Sequence, residues 1–162
     1  MRNSIWKVLP VFIAAMLAAV LSGCSLPGSL LDGVPHAADD QIMLRIKLDL
    51  KEDIGLLVID HDVDGEKGSG GISNADRSMV KRDEVLYWTF DKRYYESSGD
   101  AVDLTLRFTV VTEYCDPNYD NIYPDELTVP MEKISFDAHF GESYDLKITG
   151  DRTNGYRCQL AE

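Results

Sequence analysis

Basic residues are scarce in this chain. Among 162 residues, 16 Lys and Arg stand against 28 Asp and Glu, for a formal net charge of −12. The first 23 residues hold two of those cations, Arg2 and Lys7, and no acid, so the chain beyond them carries −14. A surface this anionic repels phosphate backbones and anionic lipid headgroups, which argues against nucleic acid as a partner and against a basic membrane-surface patch. Three cysteines are too few for a disulfide-dense mini-protein. His36, His61 and His139 are too scattered for a histidine-rich metal store. No internal repeat occurs, and no apolar stretch after Leu21 is long enough to cross a bilayer. At 18.1 kDa there is room for one ordinary domain plus a targeting segment.

Catalytic signatures are missing as well. His61 sits among acids and His139 near a strand end, and neither belongs to a serine or cysteine nucleophile motif. Gly68-Ser69-Gly70-Gly71 lacks the lysine of a phosphate loop, and its glycines suggest a mobile tip or a close backbone approach. Lys92-Arg93-Tyr94-Tyr95 is a small basic–aromatic cluster that balances local acids. The expectation is a protein that is not an enzyme.

What is present begins with an address. Met1 to Lys7 is short and positive, and Val8 to Leu21 is apolar except for Pro10. That run is shorter than the ~20 residues a spanning helix needs, so it reads as a cleavable signal segment, 1–23. It ends Leu21-Ser22-Gly23-Cys24, which resembles the lipobox of bacterial lipoproteins. The resemblance implies that Cys24 becomes the mature N-terminus and carries fatty acyl chains such as palmitate. It also implies a cell-membrane location, anchored by lipid and facing outside the cytoplasm. Two or more acyl chains anchor durably where one does not. The alternative is an ordinary secretory signal with a cysteine near its end. Residues 24–40 then hold the lipidated cysteine and a tether with two prolines and two glycines. With Cys24 acylated, Cys115 and Cys158 are left as an even pair outside the cytoplasm, where disulfides persist. Their bond would close a loop of 44 residues, and two free thiols are the alternative.

From Gln41 the pattern has period two. Ile42, Leu44, Ile46, Leu48 and Leu50 alternate with Gln41, Met43, Arg45, Lys47 and Asp49, which a strand would sort onto two faces. Ile54–Ile59 is a compact apolar run suited to a strand buried on both faces. Val85–Phe90 is aromatic-rich, and Val102–Val110 alternates without a break. Short strands follow around Leu127–Val129, Ile134–Ala138, Tyr144–Ile148 and Tyr156–Leu160. Seven to eight such strands across residues 41–162 predict an all-β domain, a two-sheet antiparallel sandwich. The closing stretch FDAHFGESYDLKITGDRTNGYRCQL resembles the terminal strands of immunoglobulin-like or transthyretin-like bacterial surface modules. Only Ser73–Arg82 suits a helix, with Ser73 or Asn74 as cap, and it reads equally as an ordered loop.

Two loops carry candidate contacts. Asp60, Asp62 and Asp64 alternate before Gly65, the way a calcium loop aims oxygens at a hard cation. The acid required at the twelfth position is Gly71, so a structural Ca2+ would need ligands from elsewhere; a solvated acidic turn is the plainer reading. No other cofactor is implied. Tyr119 and Tyr123, on the loop after Cys115, are candidates for a partner-binding surface or for covers over the end of the sandwich. Together these features predict a membrane-anchored extracytoplasmic lipoprotein, a non-enzymatic module for binding, adhesion or envelope assembly. Its partner would be an envelope protein or a surface ligand. The alternatives are a small cell-envelope hydrolase or inhibitor-like domain, and a purely structural spacer.

Overall fold

The computed structural model describes residues 33–95, 99–114 and 123–161. The chain divides into two compact units, Met1–Pro35 and His36–Glu162. Of the first, residues 33–35 are described, and they are exposed and irregular. Cys24, Cys115 and Tyr119 lie outside the described residues.

The second unit is an all-β sandwich of two sheets. One has the order β4-β1-β8-β9, from β1 (Gln41–Leu50), β4 (Val85–Asp91), β8 (Ser143–Asp151) and β9 (Gly155–Leu160). The other has the order β3-β2-β5-β6, from β2 (Leu56–Val63), β3 (Glu66–Ile72), β5 (Ala101–Val111) and β6 (Thr128–Pro130); β7 (Ile134–His139) also pairs with β5. Strand identity follows the alternation. Ile42, Leu44, Ile46, Leu48 and Leu50 of β1 are buried against Leu57, Ile59, Leu104, Leu106 and Phe108 of the other sheet in one continuous core. Every named strand pair is antiparallel except β1–β8, which runs parallel from Met43 opposite Ser143 to Leu50 opposite Gly150. Among the described residues nine strands form where seven or eight were expected, and the added one is the glycine-rich β3.

Three local outcomes differ from the sequence expectations. Ile54 forms an isolated bridge to Val80 instead of opening a strand. β2 buries one face only, with Leu57, Ile59 and Val63 inside and Leu56 and Val58 half-buried. Ser73–Arg82 takes no helix. There the amide of Asn74 donates to the Met79 carbonyl, and Asp76 accepts from the Ser78 amide, so side chains satisfy backbone groups that a helix would use. The end of the expected tether is held by the sandwich. The Ala37 amide donates to Ser143 Oγ at 3.0 Å, and the Lys92 amide donates to the Asp40 carbonyl at 2.9 Å.

The β2–β3 connection positions the candidate site. Asp64 and Gly65 both have positive φ, 52° and 93°, the pair of conformations required by a two-residue type I′ turn. Glycine adopts this without cost and aspartate tolerates it. Val63 therefore pairs directly with Glu66, and the acidic segment becomes the end of a strand and a tight turn.

Candidate binding face and the histidine beneath it

Strand pleating separates the residues of Asp60-His61-Asp62. Asp60 and Asp62 point to the outer face of the five-stranded sheet, and His61 points inward between the sheets. On the outer face Asp60 stands between Ser69 of β3 and Arg107 of β5, and Asp62 between Lys67 and Thr105. Thr105 continues the row to Ser135 of β7, with their hydroxyl oxygens 2.7 Å apart. A groove of about 330 Å3 lies here, lined by Asp60, His61, Asp62, Lys67, Gly68, Thr105, Arg107 and Lys133. A second of about 340 Å3 shares Asp60 and reaches Tyr123.

The three aspartates proposed for calcium do not converge. Asp60 accepts from Ser69 Oγ at 2.7 Å, and Asp62 from the Gly65 amide at 2.7 Å. Asp64 is turned to β5, where it accepts from the Asp103 amide at 2.8 Å. Among the described residues no group of three potential metal-ligating side chains forms. The reason is the hairpin: a strand sends its acids out in parallel, whereas a calcium loop curls them around one point. Millimolar calcium is therefore expected to leave the thermal unfolding midpoint unchanged, and a rise that saturates with calcium would show that the acids gather on an ion.

Arg45, Lys51, Lys81, Lys92, Arg93, Lys147 and Arg152 each pair with a carboxylate, whereas Lys47, Arg82 and Arg157, scattered over the surface, do not among the described residues. Lys67, Arg107 and Lys133 form no ion pair among the described residues, yet they meet at one groove in a chain of strongly negative charge.

Beneath the groove, His61 enters a cluster of rings. Its centroid lies 5.1 Å from Phe90 in an edge arrangement, 6.4 Å from Trp88 and 6.5 Å from Tyr95. Tyr95 Oη is 3.5 Å from His61 Nε2, while His61 Nδ1 and Trp88 Nε1 are buried without a hydrogen-bond partner among the described residues. Burial pushes the His61 pKa below the ordinary value, against the opposing pull of the Ile59 carbonyl and of Asp60 and Asp62. The rings fit because β3 offers no side chains to them. A Cβ at Gly68 would collide with the His61 ring, and one at Gly70 with the Trp88 indole. The glycine run is thus a close backbone approach.

Cys158 is half-buried on β9, packed at the margin of the core, and burial pushes its thiol up to about 12. It forms no disulfide with a described residue. Sequence reasoning missed the ring cluster and the cations of the groove. Period-two spacing from Leu57 through Val63 is the signal that would have turned His61 inward, but its ring neighbours come from distant strands.

The fold and the groove define a class, an all-β two-sheet sandwich with a mixed-charge outer face. No family model matches the chain, and no curated protein matches it. Among solved structures, a Gram-negative toxin is similar at 9% identity and a TM-score of 0.34, covering 75% of this chain and 22% of that one. Pneumolysin is similar at 8% identity and a TM-score of 0.33, covering 75% of this chain and 23% of that one. This chain therefore spans less than a quarter of the length of either, and a likeness of this size carries no functional inference.

Proposed function

We propose that this protein is a lipid-anchored, extracytoplasmic bacterial lipoprotein whose sandwich binds a partner, without catalysis, through the outer face of its five-stranded sheet. The address rests on Leu21-Ser22-Gly23-Cys24 behind a positive start and an apolar run. The binding reading rests on one observation: Lys67, Arg107 and Lys133 converge around Asp60 and Asp62 without ion-pair partners among the described residues. Exposed charges left without partners in the free protein are available to a complementary surface, where they steer encounter and set register. The fitting partner is an envelope protein or surface ligand that itself carries both signs of charge. Tyr123 borders the adjoining groove and extends the contact with an amphipathic ring. A non-catalytic role is favoured because His61, the histidine nearest the acids, is turned into the ring cluster.

Two measurements test this. Metabolic labelling with a fatty acid is expected to mark the protein and to fail in Cys24→Ala; an unlabelled, uncleaved protein would end the lipoprotein reading. Crosslinking capture from solubilised membranes is expected to retain a reproducible partner and to lose it by about tenfold or more in Arg107→Glu/Lys133→Glu. Capture that is indifferent to the double substitution, or yields no partner, overturns the binding face.

A further inference from the structure

We propose that His61 is an acid-sensitive latch beneath the binding face: its protonation releases the β2–β3 hairpin from the ring cluster and so removes one wall of the groove. This concerns regulation of the face proposed above and rests on that reading only for its functional meaning.

The geometry carries the inference. A neutral imidazole fits a cluster of Trp88, Phe90 and Tyr95, whereas an imidazolium needs acceptors at both ring nitrogens. Among the described residues Nδ1 makes no hydrogen bond of good geometry, the Ile59 carbonyl offsets burial only in part, and Nε2 has only Tyr95 Oη at 3.5 Å. Charged groups approach from few directions. On β2 itself Asp60 and Asp62 point to the opposite face of the sheet, engaged by Ser69 and Gly65. On β3 the nearest are Glu66, which acts on Tyr95, and Lys67, which lines the groove. From β5 the residue opposite His61 is Leu106, with Arg107 next to it facing outward. On β4, Trp88 and Phe90 carry no charge. Cation–π attraction offsets little, since it needs a ring within ~6 Å and only Phe90 lies inside that limit. Desolvation therefore dominates, and the neutral form is the one the cluster holds.

The element that yields is β3. It is an edge strand paired only with β2, its inner face at Gly68 and Gly70 contributes no side-chain burial, and Gly68 lies directly against the His61 ring. An edge with few apolar contacts opens at lower free energy than the core. In the opened state His61 regains an ordinary pKa near 6.5, so opening takes up a proton. Opening becomes easier as pH falls below that value, and the gain ends below the depressed pKa of the closed form. The slope between the two is up to about a factor of ten per pH unit, that of one proton.

The test uses the full chain in detergent without any partner. Histidine NMR is expected to show His61 titrating below the ordinary imidazole value of about 6.5. Hydrogen exchange of the Gly68–Ile72 amides, corrected for intrinsic rates, is expected to accelerate by up to about tenfold per unit between about pH 6.5 and the His61 midpoint. His61→Phe should keep the ring packing and abolish the acceleration. Exchange that is flat with pH, an acceleration that persists in His61→Phe, or a His61 midpoint at or above about 6.5 overturns the latch. Because no partner is present, failure here leaves the binding reading standing, and loss of partner capture leaves the latch standing.

Discussion

Reduction of the purified protein is expected to lower its unfolding free energy by about 4 kcal/mol, the chain-entropy cost of releasing a loop of this length. The prediction rests on a bond between Cys115 and Cys158, 44 residues apart inclusive. If Cys24 is acylated as proposed, two thiols are left outside the cytoplasm. Cys158 is unsuited to act as a nucleophile or a metal ligand, since burial holds it as the protonated thiol. Glu113, two residues before Cys115, pairs with Arg152 in the turn that leads into β9, at 3.6 Å. The strand bearing Cys158 therefore begins close to the chain that leads to Cys115. Urea unfolding with and without reductant measures the effect. Cys115→Ser, Cys158→Ser and the double variant should lose the same amount, because a single bond is removed in each. Alkylation of both thiols in the unreduced, purified protein would sink the bridge.

Gly70→Val is expected to cost about 3 kcal/mol, at the upper end for inserting bulk into a packed site. Valine favours strands by up to ~1 kcal/mol on propensity, so any loss is due to packing. The collision is with the Trp88 indole, which is held between His61 and Phe90 and cannot withdraw without opening the cluster. Trp88 and Trp6 are the two tryptophans of the chain. In a protein cleaved before Cys24, as proposed, the emission of Trp88 should shift to the red as its ring is expelled. The neighbouring Ser69→Val, pointing to the outer face, should cost less than about 1 kcal/mol. Equal losses from the two variants would show that β3 does not rely on close approach to the rings.

Much of the architecture was legible because strand alternation is a local property. The inward residues of β1 and β5 could be assigned from spacing alone, and their burial agrees residue by residue. β3 was not legible. Glu66–Ile72 has three glycines and one apolar side chain, so neither propensity nor period marks it as a strand. It forms because β2 offers a free edge and because rings from β4 fill the space its side chains would have taken. The acidic segment admitted two readings from sequence, a cation loop and a solvated turn. Alternate aspartates before glycine suit a cation loop, but Asp64-Gly65 between alternating segments is also a hairpin turn, and apolar positions at Leu57, Ile59 and Val63 extend the strand to its edge.

The sequence by itself determined which segments extend, which of their side chains face inward and where the tight turn falls, since each depends on neighbours one or two residues away. Only the tertiary structure decided that β1 runs parallel to β8, that Lys67, Arg107 and Lys133 share a groove with Asp60 and Asp62, and that His61 lies among three rings. Those outcomes depend on which strands meet and in what register. That choice is made by burying one shared core across long stretches of chain, which no local pattern records.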